Sequence, residues 1–129
     1  MKKLSSLFIL LIITTSLSFA QNSASEKITK KWSLNELEEF GEKYALTDLQ
    51  KNDWMTFTAN HKYTGLINNE SIEGTWSEKQ GKIYLTKGKN SKFKVNWIKV
   101  ITLESEKLVI TYQSVDLIKT TLYYIPAKE

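Results

Sequence analysis

From Ile28 onward, apolar and polar residues alternate in short runs separated by turn-forming clusters. The clusters sit at Asn60-His61, Asn68-Asn69-Glu70, Gln80-Gly81, Gly88-Lys89-Asn90-Ser91, Glu104-Ser105-Glu106 and Ser114-Val115-Asp116, so most intervals span 9 to 11 residues. That is the spacing of an antiparallel meander. Between the turns, runs rich in Val, Ile, Thr, Tyr, Phe and Trp suit a pleated, half-buried surface. Ile72, Gly74 and Trp76 fall on one side of such a ribbon, with Glu73, Thr75 and Ser77 on the other. Leu108, Ile110 and Tyr112 alternate in the same way with Val109, Thr111 and Gln113. The single proline, Pro126, stands at the end, where it interrupts no central ladder. The pattern predicts eight strands, over 29–35, 53–59, 61–67, 71–78, 82–87, 92–103, 107–113 and 117–125. Consecutive strands joined by short turns pair with each other, and rolling the sheet up removes its exposed edges. The predicted fold is all-β, an eight-stranded antiparallel up-and-down barrel.

The segment 35–52 departs from strand periodicity. Leu37, Phe40 and Tyr44 lie at helical spacing, Asn35 and Glu38 resemble a capping box, and Glu39 precedes Lys43 by four residues. These features predict a short helix between the first two strands, placed to cover one barrel mouth. Gly41 and the shortness of the segment leave an irregular connection as the alternative. Two stretches, Trp97-Ile98 with Val100-Ile101 and Leu117-Ile118 with Leu122 to Ile125, are apolar on both faces. Their outward residues call for a cover: this segment, a second copy in a homodimer, or an envelope protein.

The N-terminus changes the picture of the compartment. Lys2 and Lys3, the apolar run Leu7 to Ile13, and Ser18-Phe19-Ala20 before Gln21 form an export signal over residues 1–20, cleaved after Ala20. The apolar run is far shorter than the roughly 20 residues a membrane span needs, and Thr14, Thr15 and Ser16 follow it at once. The expected product is periplasmic or secreted, without a membrane span, with residues 21–27 a disordered lead-in and 28–129 one barrel domain. Of the 129 residues, eighteen are basic and fourteen acidic. Losing Lys2 and Lys3 with the signal lowers the formal charge from +4 to +2. The chain has no cysteine, no arginine and one histidine. Disulfides, thiolate metal sites, thiol nucleophiles and guanidinium phosphate clamps are thereby excluded.

The barrel pattern carries an ordered set of short motifs. They are Lys31-Trp32-Ser33-Leu34, Met55-Thr56-Phe57 leading through Asn60-His61 to Tyr63-Thr64, Gly74-Thr75-Trp76-Ser77, Ile83-Tyr84-Leu85-Thr86, Trp97 to Leu103, Lys107-Leu108-Val109-Ile110 and Tyr123-Tyr124. In order and spacing the set resembles the lipocalin-like domains of exported bacterial proteins. The resemblance implies a lipocalin-like barrel and a binding role, and it transfers no catalytic residues. The chain departs from the wider lipocalin pattern in having Lys30 where a Gly-x-Trp opening would place glycine, Asn60-His61 in place of an Asp-Gly turn, and no arginine to stack on the opening tryptophan.

An eight-stranded barrel is either filled by its side chains or holds one small ligand. With Trp76 inward, Phe57, Tyr63, Trp76, Trp97 and Tyr112 line the interior, together with Val95, Ile101 and Leu103. Such rings are first of all core packing. Their hydroxyl and indole donors on an apolar wall also suit a small apolar or amphipathic ligand. Other chemistry is sparse, and the reading is non-enzymatic: no catalytic residue, cofactor or metal site is assigned. His61 falls in a turn, without a Gly-x-Ser-x-Gly elbow elsewhere. Glu36, Glu38, Glu39 and Glu42 read as a solvated face. Lys87, Lys89, Lys92 and Lys94 form a basic patch that, without arginine or a recognition motif, implies no nucleic-acid partner.

Overall fold

The computed structural model describes residues 23–128. The expected export signal, residues 1–20, and the first two residues of the expected lead-in lie outside the described residues. Ser23 opens a short helix, α1 (Ala24–Ile28), by accepting a hydrogen bond on its side chain from the Glu26 N–H, the role of a helix N-cap. The lead-in expected over 21–27 is therefore ordered from Ser23, and it delivers Ile28, fully buried, to the core. Among the described residues no helix is long and apolar enough to cross a membrane.

Nine strands follow: β1 (Lys31–Glu39), β2 (Glu42–Tyr44), β3 (Trp54–Phe57), β4 (Lys62–Ile67), β5 (Glu70–Lys79), β6 (Lys82–Lys87), β7 (Val95–Glu104), β8 (Lys107–Ser114) and β9 (Lys119–Pro126). Eight of them form one antiparallel sheet in the order β6-β5-β4-β3-β1-β9-β8-β7, with β2 paired to β1 off this path. The sheet curls into a nearly closed barrel. The chain ends meet as expected, because β1 pairs with β9 from Trp32/Pro126 to Glu39/Thr120.

The helix expected between the first two strands is not there; a β-hairpin takes its place. Leu37, Glu38 and Glu39 pair with Tyr44, Lys43 and Glu42 around a turn at Phe40 and Gly41, both at positive φ. The spacing of Leu37, Phe40 and Tyr44 is that of the hairpin itself: Leu37 and Tyr44 face each other across the two strands and Phe40 lies in the turn. A bulge between Leu34 and Glu36 inserts one extra residue into β1, so its inward side chains are Trp32, Leu34 and Leu37. Phe40, expected to cover a barrel mouth, is 80% exposed at the hairpin tip.

β6 and β7 do not pair, and the reason lies in their connection. Instead of a tight turn, residues 88–94 run back across the barrel mouth onto β5. The Gly88 N–H donates to the Glu73 carbonyl at 2.9 Å, and the Lys92 and Phe93 N–H groups donate to the Ser71 carbonyl at 2.9 and 2.8 Å. Ser91 adds its hydroxyl, accepting from Glu73 N–H at 2.8 Å and donating to Glu73 C=O at 3.1 Å. Anchoring the loop on β5 separates β7 from β6 and leaves a seam in the barrel wall.

Inside, Trp32, Met55, Phe57, Tyr63, Leu108, Ile110 and Tyr124 are almost completely buried. Their close packing needs a gap in side-chain volume at Gly74. A Cβ there would lie 2.1 Å from the Thr86 carbonyl oxygen and 2.6 Å from the Tyr63 hydroxyl. Because Thr86 belongs to the backbone of β6, relief requires moving a strand. Gly74→Ala is therefore expected to cost about 1–3 kcal/mol through overpacking, and equilibrium denaturation checks it.

Candidate functional site

Four of the five side chains expected to line the interior do so: Phe57, Tyr63, Trp76 and Tyr112 are all buried. Their rings pack on neighbouring rings, and a cleft of about 290 Å³ reaches Tyr63, Ile72 and Phe93 beside the 88–94 loop. The Phe57 and Tyr63 rings are 5.8 Å apart, and Phe93 meets Tyr112 edge-on at 5.2 Å. Their polar handles are occupied by the barrel's own backbone. The Trp76 indole donates to the Thr58 carbonyl at 3.0 Å, and the Tyr63 hydroxyl to the Thr86 carbonyl at 3.3 Å. Burial, with a smaller contribution from Glu73, pushes the Tyr63 hydroxyl up to about 12. Burial likewise raises Tyr112, and Tyr124 well above the usual phenol range, so the interior presents neutral hydroxyls. Tyr124 Oη is buried without a partner.

Trp97 is the exception, and the structure corrects its placement. Bulges between Val95 and Trp97 and between Val100 and Thr102 interrupt the β7 ladder. Each extra residue inverts the inward–outward alternation. Ile98 consequently takes the buried position, Trp97 is half-buried at the strand edge, and Ile101, also expected inward, is 58% exposed. The same bulges explain why this stretch looks apolar on both faces.

Trp97 belongs to a groove along the β6/β7 seam. The groove encloses about 640 Å³ and is lined by residues 81–85 of one wall and 97–101 with Leu103 of the other. Ile83 and Ile98 are buried at its base, while Leu85, Val100 and Leu103 are half-buried. Lys82 and Lys99 stand at the rim, and Lys99 Nζ lies 4.7 Å from the centroid of the Trp97 ring, a cation–π contact that holds the ammonium beside the groove. Both ends are bounded. At one, Lys87 Nζ donates to the carbonyls of Val95 and Asn96 at 3.4 and 3.3 Å. At the other, α1 is fixed by Ser25, whose N–H donates to Glu78 at 3.0 Å, and by Lys30 Nζ, which reaches the Ser105 carbonyl at 3.0 Å. Lys82 and Lys99 went unread as site residues because nothing in the alternation marks an unpaired edge.

No protein-family model and no curated protein matches the chain. Solved structures similar in shape include the following two. One is a DUF4847 family protein from Bacteroides vulgatus, with a TM-score of 0.48, 15% identity, and coverage of 79% of this chain and 95% of that one. The other is a protein from Burkholderia xenovorans, with a TM-score of 0.48, 11% identity, and coverage of 90% and 97%.

The remaining candidate groups are engaged locally. His61 occupies the β3–β4 turn at φ 66° and is exposed. It stacks on Trp76 at 4.4 Å, with Nδ1 at 3.1 Å from the Trp76 carbonyl. The four glutamates are dispersed among separate partners. Glu36 pairs with Lys43 at 3.2 Å, Glu38 accepts from Tyr123 at 2.7 Å, Glu39 from Thr120 at 2.7 Å, and Glu42 from Tyr44 at 3.2 Å. Among the described residues no group of three His, Cys, Asp or Glu side chains is placed to hold a metal ion.

Proposed function

We propose that this chain is an exported, non-enzymatic, lipocalin-like binding domain, and that it takes an amphipathic ligand with an anionic group in the β6/β7 seam. One observation carries the reading: the seam offers a groove of about 640 Å³ with an apolar base and two lysines at its rim, more than twice the volume of the cleft that reaches Tyr63. That volume falls in the range of small-molecule sites. The absence of cysteine and arginine, and the engagement of the single histidine with Trp76, are consistent with a role that needs no reactive side chain. Export rests on the leader pattern of residues 1–20.

Native mass spectrometry of the protein from its own host, with dodecanoate as added probe, tests both parts. The expected polypeptide begins at Gln21 and binds one dodecanoate. Trp97→Ala is expected to leave stability within about 1 kcal/mol of wild type, because the side chain is half-buried at an edge, and to lose the probe. Trp76→Ala is expected to cost about 3–5 kcal/mol of stability and, in molecules that remain folded, to retain it. Loss of the probe on Trp76→Ala but not on Trp97→Ala would return the site to the interior.

A further inference from the structure

β6 pairs only with β5, and β7 only with β8, so along the seam alternate N–H and C=O groups of both strands face a gap instead of a ladder. The gap is narrow. Cα atoms of β6 and β7 approach within 8 Å, less than the two ladder spacings, about 9.5 Å, that a strand inserted between them would occupy. One layer of small polar groups fits. Flanking it on the outer side are Lys82 and Tyr84 of β6 and Trp97 and Lys99 of β7, with Tyr84 half exposed and Lys99 held over the Trp97 ring. Beneath lie Ile83 and Ile98, both buried. The groove thus has an apolar floor, a middle layer of backbone donors and acceptors, and an outer layer of two rings and two cations.

We infer that the ligand of the seam carries a sugar-acid head group, hydroxylated as well as anionic, on an apolar chain. The inference rests on the reading of the seam as the binding site and names the chemistry of its occupant's polar end. The strand edges decide it. A bare carboxylate only accepts hydrogen bonds, so it serves the lysines and the edge N–H groups and leaves the edge carbonyls without a donor, whereas a hydroxyl both donates and accepts. A ring bearing several hydroxyls meets both kinds of edge group from a single layer. Its acid group is matched by Lys82 and Lys99, since no carboxylate lines the groove. Tyr84 and Trp97 each offer an apolar ring with a polar tip, which suits the C–H faces of a saccharide and the hydroxyls at its rim. The chain of the ligand then rests on Ile83 and Ile98.

The test uses the full chain and three probes with one chain length, each below its micelle concentration: dodecyl glucuronide, dodecyl glucoside and dodecanoate. Binding is followed by calorimetry and by amide hydrogen exchange. The glucuronide is expected to bind about tenfold or more tightly than either of the others, and to slow exchange about tenfold or more in residues 82–85 and 97–101. Dodecanoate should protect those edges less. Lys82→Ala with Lys99→Ala is expected to reduce the glucuronide to the affinity of the glucoside. Tyr84→Ala is expected to weaken the glucuronide more than it weakens dodecanoate. Exchange in β1, β8 and β9 serves as the folding control for each variant. Equal affinity for glucuronide and glucoside overturns the acidic part of the inference, and glucuronide binding that ignores both lysines and Tyr84 overturns its place in the seam. If dodecanoate binds as tightly as the glucuronide, the sugar-acid inference fails while the seam reading stands; if nothing binds, both fail.

Discussion

Trp32→Ala is expected to lower stability by about 3–5 kcal/mol, the usual cost of emptying a large buried aromatic site. Trp32 is completely buried and lies in mid-sheet, opposite Met55 of β3 and Pro126 of β9. Its removal opens a void between the two strands that join the halves of the sheet. The indole also donates to the Ile28 carbonyl at 3.1 Å and so fastens α1 to the barrel end. Trp32→Phe separates the two contributions. It retains most of the apolar contact and leaves the Ile28 carbonyl unpaired, at an expected cost of about 1–3 kcal/mol. Chemical denaturation measures the totals, and hydrogen exchange locates them: α1 should fray selectively in the phenylalanine variant. A loss below about 1 kcal/mol for Trp32→Ala, typical of surface substitutions, would show that the joint between the two halves of the sheet does not depend on this ring.

The strand pattern was legible because polar turns and alternating apolar residues report the same two-residue period. Each of the eight expected strands overlaps one strand of the barrel. In β7 the pattern fails where residues fall out of step: its two bulges leave Trp97 half-buried and bring Ile98 in. The helical spacing of Leu37, Phe40 and Tyr44 comes from a hairpin with Phe40 in its turn. The seam escaped for another reason. The polar loop 88–94 reads as an ordinary hairpin turn, and only its hydrogen bonds to Ser71 and Glu73 reveal that it belongs to β5. Of the candidate site, therefore, Trp97 and the apolar residues of β6 were visible, while the unpaired edges and the placement of Lys82 and Lys99 along the groove were not. The helix α1 had a signal, Ser23 three residues before Glu26, the spacing of a capping box, hidden in a stretch whose polarity suggested disorder.

Asp53 carries the second large expected effect. It is buried at 3% exposure at the start of β3, and its carboxylate accepts from the Asn68 N–H at 2.7 Å and the Asn69 N–H at 3.0 Å. Both asparagines are at positive φ, 53° and 62°, as required of the two central residues of a type I′ turn. One side chain thus clamps the β4–β5 turn to β3, while the Asp53 carbonyl accepts from the Leu34 N–H of β1 at 3.1 Å. Asp53→Ala removes two charge-assisted hydrogen bonds and is expected to cost about 2–3 kcal/mol. Asp53→Asn keeps one acceptor but turns its amide against the other N–H, so an intermediate loss is expected. The pH dependence has a definite sign. Burial raises the carboxyl above its ordinary value of 3.8 against the opposing pull of the Asn69 and Asn68 N–H groups, so the folded state holds its proton to higher pH than the unfolded chain. Stability from this group is complete below 3.8, declines as pH rises through the raised value, and is constant above it. The difference in unfolding free energy between wild type and Asp53→Asn, in which other titrations largely cancel, should accordingly be widest in acid and narrow toward neutrality. A difference that widens with pH instead would mean that the two N–H donors outweigh burial, and that the clamp works best charged.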